Sequence, residues 1–213
     1  LLPGSESRFT KGGERDRRGD FRIEQISLTK KMRKAISKAL LRLAGWKLGP
    51  TEGVETPKCV ICVAPHTSNW DFVVGKLFYT AIGCNANFLI KKEWFFFPFN
   101  LLFNALGGVP IDRSQRTSVT DQMVARFNTQ SRMQLAITPE GTRKRAEVWK
   151  KGFYYIALGA QVPILVAYID YKKKEAGMKA LFHPTGDLEK DLATIQAMYK
   201  GVTACHPEQF AQG

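Results

Sequence analysis

The chain is poor in the residues that hold metals or build disulfide frameworks. It has three histidines and four cysteines in 213 residues. His66, His183 and His206 show no ligand spacing with one another, which argues against a metal hydrolase. Cys59-x-x-Cys62 has the outward form of a metal pair. It lies in Lys58-Cys59-Val60-Ile61-Cys62-Val63-Ala64, an apolar run that reads as a buried strand. Positions three apart on a strand face opposite ways. Cys84 and Cys205 supply no second close pair, so the cysteines read as small buried hydrophobes in a reducing, cytosolic setting. No metal and no bound redox cofactor is implied. Long apolar runs are also missing. The longest uncharged stretch, Trp94 to Ile111, is broken by Pro98, Asn100, Asn104, Gly107, Gly108 and Pro110, and makes a poor spanning helix. No clean signal peptide is present. A soluble domain that docks on a membrane is the expectation. Acidic residues are scarce: 19 Asp and Glu stand against 32 Lys and Arg, a formal charge of +13. Such a balance implies a polyanionic partner (nucleic acid, an anionic membrane surface or a phosphorylated substrate), or simply a solvated basic surface. No nucleic-acid-binding module is recognisable, so nucleic acid is not an expected partner.

Residues 1–27 are polar, charged and glycine-rich, with no hydrophobic period. They read as a disordered tail or an upstream extension, with Met32 a candidate natural start. A basic amphipathic helix is expected from Leu28 to Trp46, within a segment 28–50. Leu28, Met32, Ala35, Ile36, Ala39, Leu40, Leu43 and Trp46 share one side, and Lys and Arg fill much of the remainder. Such a helix either lies in a membrane interface or packs on its own domain. Residues 51–213 form the main domain. Apolar strands are expected near 58–64, 86–91, 109–111, 133–138 and 163–169, with another near 179–183. Helices fall near 69–82, 93–106, 117–130, 148–159 and 187–200. This alternation predicts a single α/β domain with a mostly parallel central sheet flanked by helices. Functional groups in such folds gather at the carboxyl ends of strands. His66 follows the first of these strands and Glu140 the fourth, so they are expected to share a site.

The run Pro65-His66-Thr67-Ser68-Asn69-Trp70-Asp71 offers a base with a carboxylate five residues on. An unperturbed imidazole titrates near ~6.5, which suits a general base at neutral pH. Asp71 would hold the ring in one tautomer and stabilise its charged form, with a substrate hydroxyl as nucleophile. The spacing works if His66 lies in a loop and Asp71 in the first helical turn. Ser68-Asn69-Trp70-Asp71 is an S-x-x-D capping signal that places the helix start there. The same signal allows a purely capping role for Asp71. Thr138-Pro139-Glu140-Gly141-Thr142-Arg143 is the candidate phosphate cradle. Arg143 offers two donors to phosphate, Gly141 allows close backbone approach and Thr142 adds a hydroxyl. The aromatic run Trp94-Phe95-Phe96-Phe97-Pro98-Phe99 lines an acyl groove, dips into a bilayer, or belongs to the core. Tyr171-Lys172-Lys173-Lys174-Glu175 reads as a solvated turn.

His66-Thr67-Ser68-Asn69-Trp70-Asp71 resembles the HX4D motif of the glycerolipid acyltransferase family, whose typical member is 1-acylglycerol-3-phosphate acyltransferase. Further blocks agree in order: Gly108-Val109-Pro110-Ile111-Asp112-Arg113, then Pro139-Glu140-Gly141-Thr142-Arg143, then Val162-Pro163-Ile164-Leu165. The resemblance covers Cys59 to Tyr171. It implies transfer of a fatty acyl group from acyl-CoA or acyl-carrier protein to the free hydroxyl of 1-acylglycerol-3-phosphate, giving phosphatidic acid. Another lysolipid or an aminoacyl lipid is the alternative acceptor. It implies catalytic roles for His66 and Asp71, and acceptor binding by Glu140, Gly141, Thr142, Arg143 and Arg113. Lys91 matches a family lysine near the phosphate, with Lys92 the competing choice. Pro110 and Ile111 would shape the site floor, Asp112 would fix Arg113, and Pro163 would be structural. The expected partners are an anionic membrane surface, the acyl donor and a lysophospholipid, with the protein on the inner face of the cell membrane. The competing class is a non-catalytic basic protein that binds membranes or nucleic acid.

Overall fold

Lys58–Ala64 forms a strand whose central residues Cys59, Val60, Ile61 and Cys62 are fully buried. A continuous apolar run of this kind is what a strand covered on both faces requires. In the computed structural model, which describes residues 12–112 and 118–211, this strand (β2) lies in the middle of a seven-stranded sheet. The others are β1 (Lys47–Leu48), β3 (Asn87–Lys91), β4 (Gly108–Ile111), β5 (Met133–Ile137), β6 (Ile164–Asp170) and β7 (Glu175–Phe182). The spatial order is β1-β7-β6-β2-β5-β3-β4. Every pairing is parallel except β6 with β7, which a turn at Tyr171–Lys174 joins as a hairpin. The mostly parallel α/β expectation therefore holds. The two-residue β1 gave no periodic signal.

Among the described residues, six helices accompany the sheet: α1 (Gly12–Leu43), α2 (Asn69–Ala81), α3 (Phe99–Leu106), α4 (Val119–Thr129), α5 (Gly152–Gly159) and α6 (Leu188–Ala197). Val74 and Phe78 of α2 and Leu41 of α1 pack on Cys59, Ile61, Leu165 and Ile169 on one face. Met123 and Phe127 of α4, Phe153 and Ile156 of α5 and Ile195 of α6 pack on Val60, Cys62, Leu135 and Val166 on the other. Cys59 and Cys62 thus belong to opposite cores, as strand geometry requires. Burial pushes both thiols up, Cys59 to about 12, which keeps them protonated and inert. The single helix expected near 93–106 is divided. Lys92–Trp94 is a 3-10 turn, and α3 starts only after Pro98, whose ring cannot sit in a helix interior.

The N-terminal helix begins at Gly12, well before Leu28. It contacts α2 through a narrow stripe in which Ser37 and Leu41 are buried. The apolar side read from the sequence is a different one. Leu28, Met32, Ile36, Leu40 and Leu43 are all exposed, Leu43 by 84%. Within α1 these five residues face solvent, while Trp46, beyond the helix end, packs against the core. Among the described residues, no helix is long and apolar enough to cross a membrane.

Candidate active site

Chain direction changes at the middle of the sheet. From β2 the chain crosses on one face through α2 to β3. From β5 it crosses on the other face through α5 to β6. The carboxyl ends of neighbouring β2 and β5 therefore open a crevice, the usual ligand position in open α/β sheets. His66 leaves β2 into that crevice and Glu140 leaves β5 beside it.

Ser68, extended at φ −143° and ψ 155°, caps α2. Its hydroxyl accepts the Trp70 N–H at 3.2 Å. Asp71 completes the capping box: its Oδ2 accepts the N–H groups of Thr67 and Ser68, each at 2.8 Å. The same oxygen lies 3.2 Å from His66 Nδ1. Capping and pairing are thus joint roles of one carboxylate. The capping bonds hold it rigid, so the imidazole meets a fixed acceptor. With Nδ1 donating to Asp71, Nε2 is left as the acceptor nitrogen. The His66 side chain is 21% exposed and that of Asp71 only 3%. Burial alone would push the Asp71 carboxyl up. Hydrogen bonds from His66, Tyr171, Ser68 and Thr67 outweigh it and hold Asp71 below the usual carboxylate range.

Glu140 sits beneath this pair. It is 4% exposed, and its Oε1 accepts the His66 backbone N–H at 3.0 Å. Its carboxylate therefore points inward and is separate from the open cradle with which the motif grouped it. Burial pushes Glu140 up to about 7. The next three residues form the exposed turn. Gly141 has φ 63°, and a Cβ there would come within 2.6 Å of the Lys150 side chain that lies across it. The left-handed φ favours glycine, and any side chain here would have to displace Lys150. Arg143 donates through Nη1 to the Asn69 side-chain oxygen at the start of α2, which draws the cradle onto the histidine loop.

One cleft of about 890 Å³ collects these groups. Gly141, Thr142, Arg143 and Lys150 line it, together with His66 and Asp71 and apolar walls that include Phe72, Phe78, Phe88 and Leu89. Other expected site residues stand apart. Lys91 is exposed at the carboxyl end of β3, and Lys92 forms an ion pair with Asp112 at 3.1 Å. The expected anchoring of Arg113 by Asp112 involves a residue outside the described ones, so Arg113 has no structural account here. Ile111 packs in the core beneath the sheet. Asn69, Lys150 and Tyr171 were not picked out from the sequence. Asn69 occupies a spacer position of its motif, and nothing around Lys150 marks it. Tyr171 carries a legible signal, being the first residue beyond the carboxyl end of β6. It is no solvated residue: its hydroxyl donates to Asp71 Oδ1 at 2.7 Å.

A sequence model of the acyltransferase family matches residues 50–170, more than half of the chain. The chain belongs to the acyltransferase family. It is accordingly an enzyme, and the purely binding class is set aside. No curated protein matches the sequence. Among solved structures, the fold is similar to that of the 1-acyl-sn-glycerophosphate (LPA) acyltransferase PlsC from Thermotoga maritima. The TM-score is 0.59 at 19% identity, over 85% of this chain and 79% of that one. This acyltransferase shares that architecture.

Proposed function

We propose that the enzyme transfers a fatty acyl group from acyl-CoA or acyl-carrier protein to the free hydroxyl of 1-acylglycerol-3-phosphate, giving phosphatidic acid. The observation that carries this reading is the His66–Asp71 pair, 3.2 Å apart, in one cleft with the Gly141–Arg143 turn. His66 Nε2 takes the proton of the acceptor hydroxyl as its oxygen attacks the thioester carbonyl. Asp71 stabilises the imidazolium that forms. Collapse of the tetrahedral intermediate breaks the carbon–sulfur bond, and the thiolate leaves with the proton from His66. The acyl group passes directly to the acceptor, so no acyl-enzyme is required. Glu140 fixes the His66 backbone. Arg143, Lys150 and the Gly141–Thr142 turn receive the acceptor phosphate, and the family resemblance adds Lys91 and Arg113 as further candidate cations. Phe72, Phe78, Phe88 and Leu89 offer an apolar wall to the acyl chain.

The substrates are lipids, and the surface matches. Besides the exposed side of α1, Trp94, Phe96, Phe97, Phe99, Leu101 and Leu102 are exposed around α3. These residues form the docking surface on an anionic membrane, at the inner face of the cell membrane. The basic residues from Lys30 to Arg42 of α1 each add about 1 kcal/mol near such a surface.

The test is a product assay with purified enzyme, acyl-CoA or acyl-carrier protein, and several lyso-acceptors. Phosphatidic acid is the expected product. His66→Ala should lower turnover by roughly 10²–10⁴-fold, the usual contribution of a general base. Wild-type turnover in folded His66→Ala would overturn the mechanism. Preference for an acceptor lacking phosphate would overturn the substrate.

A further inference from the structure

Asp71 has two carboxylate oxygens, and only Oδ2 serves His66 and the helix cap. The other, Oδ1, accepts the Tyr171 hydroxyl at 2.7 Å. Tyr171 lies just outside the family match, which ends at residue 170. It reaches the pair from β6, the neighbour of β2 on the side away from β5. The dyad from β2 is thus braced on both flanks, by Glu140 from β5 and by Tyr171 from β6.

Tyr171 is itself held. Its backbone N–H donates to the Thr203 carbonyl at 2.9 Å. Its ring meets Trp46 edge to face, with centroids 5.0 Å apart at 85°. Trp46 follows the end of α1 and is tied back to it, its N–H donating to the Leu41 carbonyl at 2.8 Å. A continuous set of contacts therefore runs from α1 through Trp46, Tyr171 and Asp71 to His66.

We propose that Tyr171 is a positioning residue of the acyl transfer. Its hydroxyl fixes the rotation of the Asp71 carboxylate so that Oδ2 stays aimed at the imidazole, and Trp46 makes the C-terminal end of α1 part of that support. The proposal rests on the reading of His66 as the base. Without the hydroxyl, Oδ1 becomes a buried acceptor lacking its donor, and the carboxylate can turn toward other partners. Burial and the Asp71 carboxylate both raise Tyr171, so it remains a donor throughout the working pH range. Among the described residues, further titratable or charged groups about the dyad include Glu140 beneath His66, Cys205 beside Tyr171, His206, whose backbone N–H donates to the Thr67 hydroxyl at 3.0 Å, and Arg143 on Asn69. The Tyr171 donor is one of the hydrogen bonds that hold Asp71 below the usual carboxylate range. Removing it lets that carboxylate take up a proton at a higher pH, so activity is lost at a higher pH on the acid side.

Tyr171→Phe in the full chain tests this, with His66→Ala assayed alongside. The expected result is a fall in kcat of about tenfold, a small part of what the base supplies. KM for the acceptor should stay close to that of the parent. The acid limb of the pH–rate profile should move up by about half a unit, on the scale of one lost hydrogen bond. Trp46→Leu keeps the hydroxyl and removes the edge contact. It should shift kcat and the acid limb in the same direction by less. An unchanged kcat and acid limb in folded Tyr171→Phe, with His66→Ala inactive, would overturn the positioning role and leave the base intact. Parent-like activity in His66→Ala would instead overturn the reading beneath it. A Tyr171→Phe enzyme that loses activity only in proportion to its folded fraction, at an unmoved acid limb, would also refute the proposal.

Discussion

Replacing Asp71 with asparagine separates its two joint roles. The amide oxygen can occupy the place of Oδ2 and keep the N–H groups of Thr67 and Ser68, both at 2.8 Å. The amide nitrogen then faces Tyr171, whose hydroxyl turns to accept. The helix cap survives, and the cost to stability is the lost charge near the α2 N-terminus plus weaker hydrogen bonds, about 1–3 kcal/mol. Catalysis loses much more. The imidazolium formed as His66 takes the proton no longer meets a carboxylate 3.2 Å away. At an effective dielectric near 20, two unit charges at that distance attract by about 5 kcal/mol, an upper bound because His66 is partly solvated. Each ~1.4 kcal/mol is a factor of ten in rate, so a loss of about 10³-fold is expected. The assay pairs thiol release from acyl-CoA with a thermal melt. Ser68→Ala is the control. It removes the hydroxyl cap on the Trp70 N–H, costs about 1 kcal/mol of stability, and leaves the backbone bond to Asp71 and near-parent turnover. If folded Asp71→Asn kept its rate within tenfold, the charge argument would fail and Asp71 would be a cap only.

Arg143→Ala should raise the KM for the acceptor by ten- to a hundredfold, equivalent to about 1.5–3 kcal/mol for a lost charge-assisted contact, with donor KM little changed. Arg143→Lys should recover only part of it, because the fork is lost; equal effects on both substrates would reassign the residue. Glu140, raised by burial to about 7 from 4.5, favours its protonated form in the folded state. Its contribution to stability is full below pH 4.5 and lost as pH rises through 7, a change of about 3 kcal/mol. Glu140→Gln should flatten that part of the stability–pH curve, and an unchanged slope in denaturant melts would contradict the burial argument. Leu40 and Leu43 are 48% and 84% exposed, so changing both to Ser should weaken flotation with anionic vesicles while the melting temperature holds. Leu41→Ser at 2% exposure should instead cost about 2–5 kcal/mol of stability. Salt should weaken the wild-type interaction, because exposed charges are screened beyond ~10 Å at 0.1 M.

Local patterns in the sequence carried most of the frame. The strand Lys58–Ala64 was legible to the residue because a run buried on both faces is continuously apolar. The start of α2 was legible because a serine cap and its carboxylate partner sit three residues apart. The pairing of His66 with the Glu140 turn followed from strand ends alone, since parallel strands deliver their carboxyl ends to one edge of the sheet. Contacts between distant segments leave no such period. Glu140 and Arg143 lie in one short motif, yet only the packed chain turns the first under His66 and the second toward Asn69. The apolar side of α1 was visible as a pattern. Whether that side met the domain or solvent depended on which stripe α2 received, and the stripe of Ser37 and Leu41 was the one covered. Tyr171 stands a hundred residues from Asp71 beside a run of lysines that marks a surface turn. Its hydroxyl reaches the carboxylate because β6 and β2 are neighbours in parallel register, a relation that tertiary pairing creates and no local spacing records.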